Sequence, residues 1–275
     1  MLTQSRLLFL SDLFGTDLVR IDAISRQQQS EYWQSEIYAI SSPHDDKKYI
    51  YKTRLVTPFE LMEIESVLGI LSTHRIPNIC SLVNYKLVNH RIHLLLEYVG
   101  GVSLDHSHDL NWSNDSVFEE FLVAIPYISK VKIAYQIVES LYRLHQIGLL
   151  YQDIKIEQII LTHNYDAILV DVDTIILRNG HCSKRLTWVS PLYMPPYNLP
   201  CESNDIYLTG CLLFELFTGK HYNVNQLHDS GVPNEIQRII KKMVLFNHKK
   251  TLLSSEQIYQ EFRRVFCIDD NKTAK

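Results

Sequence analysis

The sequence predicts an α+β protein in two lobes: a small strand-rich lobe with one helix over residues 1–99, then a larger helical lobe over residues 100–275. Three observations carry this reading. Short apolar runs broken by polar turns fill the chain from about Leu18 to Val99. One capped helical stretch interrupts them, and after the pair Gly100 and Gly101 the apolar spacing becomes helical.

The elements follow in chain order. "SEIYAISSPHDDKKYIYKTRL" reads as two strands joined by the polar turn from Ser42 to Lys47. "TPFELMEIESVLGIL" reads as a helix, with Thr57 as its cap and Pro58 at its first position, where a missing N–H costs nothing. "RIHLLLEYV" is a strand. "ISKVKIAYQIVESLYRLHQIG" puts Ile133, Ile137, Leu141 and Leu144 on one helix face, and Gly148 ends it. The short apolar runs "QIIL" and "AILV" flank a turn at Asn164–Asp166 and read as a hairpin. "DIYLTGCLLFELFTG" is apolar nearly all round, the mark of a buried helix. "EIQRIIKKMVLF" and "EQIYQEFRRVF" are amphipathic helices. The stretch "SLDHSHDLNWSNDSVFEEF" reads as a long loop without an assigned role.

Composition narrows the classes. A formal charge of -4 gives no reason to expect a nucleic-acid or acidic-membrane partner. Five scattered cysteines, with no C-x-x-C pair, argue against a disulfide framework or a zinc site. They read as reduced thiols, and the expected compartment is the cytoplasm. "RLLFL" is too short for a signal-peptide core, and no run is long enough for a membrane span. The histidines form no metal-ligand set; the densest cluster, "DHSHDL", sits in the polar loop.

Chemistry concentrates in "LLYQDIKIEQIILTHNYDAILVDVDTIIL". Carboxylates among apolar strands are costly unless paired or bound to metal. The hairpin brings Asp153, Gln158 and Asp171 to one end. Two carboxylates and an amide suit a divalent cation and a proton acceptor. Taken alone, the pattern is read more simply: Asp153 caps a turn and Asp171 ends a strand.

The wider chain resembles the protein-kinase superfamily from about Val19 to Phe266. "LYRLHQIGLLYQDIKIEQIIL" is similar to the helix that runs into H-R-D-x-K-x-x-N, with Tyr151 and Gln152 replacing His and Arg, and Gln158 replacing Asn. "DVD" at Asp171–Asp173 stands for D-F-G. "YIYK" resembles the strand that ends in the phosphate-holding lysine, and "LLLEYVGGVSL" resembles the hinge. "SPLYMPPYNL" stands at A-P-E, "DIYLTG" matches D-x-W-x-x-G through Asp205 and Gly210, and "NHKKTLLSSEQI" closes the pattern.

The resemblance implies a bilobal protein-kinase-like fold and an ATP-dependent phosphotransferase using Mg²⁺ or Mn²⁺. Lys155 is similar to the serine/threonine branch. By the same resemblance Lys52 holds phosphates and a helix glutamate holds Lys52. Glu60, Glu63 and Glu65 compete for that role, and Glu63 fits best if Ile64, Val67 and Ile70 face inward. Leu96 is the gatekeeper, and Glu97 to Val99 offer backbone groups to adenine. Asp153 orients the substrate hydroxyl, Lys155 steadies the γ-phosphate, and Gln158 and Asp171 take the metal. Asp205 holds the loop backbone, and Tyr151 packs where a histidine would. The partners implied are ATP and a protein substrate.

Several positions depart from the pattern. "SRQQQSEYWQSE" carries no glycine where backbone amides would approach phosphate. Gln158 is one methylene longer than asparagine, and Asp173 replaces a glycine. Tyr197 and Lys250 replace the ion pair of A-P-E and its arginine. These departures keep two other readings open: a pseudokinase that binds or scaffolds, and a small-molecule phosphotransferase with a D-x-D metal motif.

Overall fold

The computed structural model describes residues 12, 20–22, 28–30, 33–41, 47–104, 115–180, 201–222, 231–244 and 253–266. The chain divides into two compact units. The first holds residues 1–75 and 80–99, and the second holds residues 76–79 and 100–275.

The first unit is built on a sheet. Strands β1 (Arg20–Asp22), β3 (Trp33–Ser41), β4 (Lys48–Leu55), β6 (Arg91–Glu97) and β5 (Leu82–Val88) lie side by side in that order, and β2 (Gln28–Ser30) also pairs with β3. The pairings are antiparallel, with Lys52 opposite Ile37 on one side and Leu94 on the other. The two strands expected around the 42–47 turn are therefore β3 and β4, though residues 42–46 lie outside the described residues.

In β4, Tyr51, Lys52, Thr53 and Arg54 are all buried, so both faces of this central strand are covered. Its buried polar groups need partners. Thr53 donates its hydroxyl to the Ile92 carbonyl at 2.8 Å, and Tyr51 Oη lies 2.8 Å from His93 Nδ1.

Helix α1 (Pro58–Thr73) starts as the sequence predicts. The Glu60 N–H donates to the Thr57 hydroxyl at 3.3 Å, and the Thr57 N–H donates to Glu60 Oε2 at 2.8 Å, closing a capping box. The buried face carries Glu63, Ile64, Val67, Leu68 and Leu71, whereas Ile70 is only half-buried.

In the second unit, α3 (Tyr127–Gln146) buries Ile133, Ile137, Leu141 and Leu144. Strands β9 (Ile159–Leu161) and β10 (Ala167–Leu169) form the expected hairpin, and β7 (Val102–Ser103) extends it. The hairpin is fixed to α3 through Gln136, whose amide donates to Asp166 Oδ1 and accepts from the Ala167 N–H, both at 2.9 Å. Residues 76–79 join this unit because the Leu169 N–H donates to the Asn78 carbonyl at 2.9 Å.

The stretch read as one long loop ends in a helix, α2 (Asp115–Ala124). Its apolar residues are spaced to bury Leu122. Residues 105–114, with the "DHSHDL" cluster, lie outside the described residues.

Helix α4 (Glu202–Thr218) is buried along most of its length. It packs on α5 (Asn234–Val244) at Gly210, where a Cβ would come 2.6 Å from Val244 Cγ1 and 2.9 Å from Met243 Cβ. Gly219 ends α4 at φ 74, the left-handed conformation that favours glycine. Helix α6 (Ser255–Phe266) packs against α3 and α5. Among the described residues, no helix is long and apolar enough to cross a membrane.

Candidate active site

The loop from Tyr151 to Gln158 is locked by the elements around it. Strand β8 (Leu149–Leu150) pairs with β11 (Ile176–Leu177), which ties the loop to the segment after Asp171. The buried Tyr151 donates its hydroxyl to the Val170 carbonyl, so it packs as a spacer between these segments. Thr174 donates its hydroxyl to the Tyr151 and Asp171 carbonyls at 3.2 and 2.9 Å.

Two residues there adopt left-handed backbone without being glycine: Gln152 at φ 71 and Asp171 at φ 62. Such conformations cost free energy and persist only where neighbours enforce them. For Gln152 the enforcing group is Asp205, which has no exposed surface. Its Oδ2 accepts the Tyr151 N–H at 2.8 Å, and its Oδ1 accepts the Gln152 N–H at 2.9 Å. Asp205 thus holds the loop backbone.

Asp153 is buried and doubly held. Its Oδ2 accepts from Gln158 Nε2 at 2.9 Å and pairs with Lys155 Nζ at 3.1 Å. Burial pushes its pKa up; Lys155 opposes this, and the Asp171 charge adds to it. The net result is a carboxylate above its ordinary range, the condition that favours a proton acceptor near neutral pH. Gln158 donates its side-chain amide to Asp153, and its side-chain oxygen Oε1 carries no hydrogen bond among the described residues. That oxygen and the half-exposed Asp171 are the donor types that Mg²⁺ takes. Among the described residues no group of three His, Cys, Asp or Glu could hold a metal.

In the first unit, Lys52 and Glu63 are both buried. The other two glutamates are placed differently. Glu60 is taken by Arg54 at 3.0 Å as well as by the helix cap, and Glu65 is exposed. Leu96 is buried. The Glu97 N–H is committed to the Ser81 carbonyl at 3.0 Å, and its carbonyl accepts a weak thiol bond from Cys80 at 3.3 Å. The main chain of Val99 makes no hydrogen bond among the described residues.

Sequence reasoning missed His145, Arg178 and Glu202. His145 Nε2 lies 2.8 Å from Asp205 Oδ2, and Arg178 pairs with Glu202. The available signal was a basic last turn on α3; no spacing rule links it to residues more than fifty positions later. Tyr197, Lys250 and the "SPLYMPPYNL" segment lie outside the described residues.

The first unit thus buries Lys52 in its sheet, and the loop of the second unit holds Asp153 near the Asp171 charge. Residues 34–272 match the protein kinase domain family, and the chain belongs to that family. It is 27% identical over 190 residues to a probable serine/threonine-protein kinase, PBL16, of Arabidopsis thaliana, covering 65% of this chain and 43% of the relative. It is 29% identical over 187 residues to an Aurora kinase of Eremothecium gossypii, covering 64% and 45%. The mouse serine/threonine-protein kinase Nek9 is 30% identical over 187 residues, covering 64% of this chain and 18% of the relative. The chain spans less than half the length of each of these relatives. In fold it is similar to a crystal structure of Rad53 in complex with AMP-PNP, with a TM-score of 0.63 at 14% identity, covering 89% of this chain and 64% of that one.

Proposed function

We propose that the chain is an ATP-dependent phosphotransferase that acts on serine or threonine hydroxyls of proteins. The observation that carries this reading is Asp153, held at once by Gln158 and Lys155 and kept above its ordinary pKa beside Asp171. A group so placed is suited to orient a hydroxyl and take up its proton. When bound, ATP with its Mg²⁺ or Mn²⁺ supplies the phosphoryl group. Asp171 and the Gln158 carbonyl would hold the metal. Lys52 would hold the α- and β-phosphates, with Glu63 as its partner, since Glu60 and Glu65 are placed elsewhere. Lys155 would steady the γ-phosphate. Leu96 would bound the adenine, the Glu97 carbonyl retains a lone pair for it, and the Val99 main chain is open to it. The proposed compartment is the cytoplasm, in keeping with Cys80, Cys201 and Cys211 being outside any disulfide.

One feature favours a second reading as a non-catalytic binding module: the stretch before Lys52 has no glycine-rich turn. A D-x-D small-molecule phosphotransferase is the third, but Asp173 is buried rather than presented. The test is incubation with ATP, Mg²⁺ or Mn²⁺ and a mixed protein acceptor, followed by phosphoamino-acid analysis. Phosphoserine and phosphothreonine that vanish in Asp153→Asn support the proposal. Nucleotide binding without any transfer would establish the binding module instead.

A further inference from the structure

The buried end of α3 carries a charge cluster whose members come from four elements. His145 Nε2 lies 2.8 Å from Asp205 Oδ2, and Nδ1 lies 3.5 Å from Glu202 Oε1. The second approach is an ion-pair contact, since Nδ1 has no acceptor in hydrogen-bonding geometry. Glu202 Oε1 also accepts the N–H and the hydroxyl of Ser255, each at 2.8 Å, and Glu202 Oε2 pairs with Arg178. Arg178 is itself tied back, its N–H donating to the Gly148 carbonyl at 2.8 Å. Asp205 in turn receives the Tyr151 and Gln152 N–H groups.

The charges facing His145 among the described residues are therefore Asp205 and Glu202 from α4 and Arg178 from the end of β11, with the neutral Ser255 from α6. Two carboxylates and one guanidinium leave an excess negative charge in a buried place. A protonated His145 balances it. A neutral imidazole would also turn a lone pair toward one of the two carboxylates, since it carries a single N–H.

We propose that His145 is a positioning residue of the active-site loop, clamped as an imidazolium between Asp205 and Glu202, so that its proton governs the order of the Tyr151–Asp153 backbone. It acts through Asp205 and touches no reacting atom. The inference deepens the phosphotransferase reading, because the loop is the one that carries Asp153.

Burial alone would lower the His145 pKa, but the Asp205 bond and the nearby Asp205 and Glu202 carboxylates outweigh it, and the net shift is upward. The Glu202 carboxyl is pulled down to about 2, chiefly by His145, against burial and with help from Ser255. The signs follow by linkage. The raised His145 stabilises the fold fully below its ordinary 6.5, and this contribution is lost as pH rises through the folded value. Glu202 contributes above its ordinary 4.5, and that is lost as pH falls toward about 2.

The test needs neither nucleotide nor turnover, so its failure is distinct from a failure of the phosphotransferase reading. The His145 ring is titrated by NMR in the full chain, and hydrogen exchange is followed at the Tyr151 and Gln152 amides, corrected for intrinsic rates. The expected result is a His145 midpoint above 6.5 and, across that midpoint, protection falling by roughly tenfold or more. In His145→Gln, which keeps one donor for Asp205 but no charge, that pH step should vanish. In Glu202→Gln the midpoint and the step should move down together. A His145 midpoint at or below the ordinary value in the unmodified chain overturns the proposal, as does a protection step that persists unchanged in His145→Gln.

Discussion

Asp153 is pushed toward neutrality by burial and by Asp171, and only Lys155 and Gln158 keep its charged form accessible. If it takes up the substrate proton, the ionised form is the active one. The rate should therefore fall as pH drops through a midpoint above the ordinary 3.8 of an aspartate. A pH profile of kcat/KM reads that limb directly, and Lys155→Ala should shift it upward by removing the first opposing charge. Gln158 supports a second expectation. Its carbonyl is the right metal ligand on a longer arm, so Gln158→Asn should keep or raise turnover and relax a preference for Mn²⁺ over Mg²⁺. Loss of all activity in that variant would mean that the site is built around glutamine. Single residues were also where sequence reading reached its limit. Three glutamates on one short helix could each have faced Lys52, and an inward set that included Ile70 was only partly right. The choice is narrowed by Arg54, a strand residue whose burial and pairing with Glu60 leave no trace in periodicity.

Most long helices were legible because their spacing repeats, whereas the ten-residue α2 was read as part of a loop. The faces of α3, α5 and α6 follow from the 3.6-residue period, and the start of α1 follows from Thr57 and Pro58. The two-residue strands β7, β8 and β11 show no period in sequence, because two residues cannot establish one. Yet β8 and β11 set the path of the active-site loop. The hairpin of β9 and β10 was visible because its two apolar runs flank a polar turn. Two element-level consequences follow. Gly210→Ala would drive a methyl into Val244 and Met243, and should destabilise the second unit by about 1–3 kcal/mol. Thr57→Ala should cost about 0.5–2 kcal/mol by opening the α1 cap. Both are read from urea denaturation midpoints, with a change near zero counting against the packing or the cap described.

At the scale of the molecule, the family was legible because motifs of modest strength occur in the right order across nearly the whole chain. Activity was less legible, since it depends on departures such as Gln152. That residue is buried, in left-handed backbone, and brings no charge to where the family's arginine meets an activation-segment phosphate. Turnover should therefore be equal in untreated protein, phosphatase-treated protein and a Ser183/Thr187/Ser190 triple-alanine variant. A drop of about tenfold, or 1.4 kcal/mol of barrier, would show that another cation has taken over. Nucleotide affinity should be modest without a glycine-rich turn, but saturating ATP–Mg²⁺ should still raise the melting temperature, and Lys52→Ala should abolish the rise. The most direct measurement is γ-phosphoryl transfer from radiolabelled ATP, compared between the unmodified chain, Asp153→Asn and Asp171→Ala. The account predicts measurable transfer that falls by about 100-fold or more in each variant. Transfer that is absent from the unmodified chain, or that survives both substitutions, would contradict it.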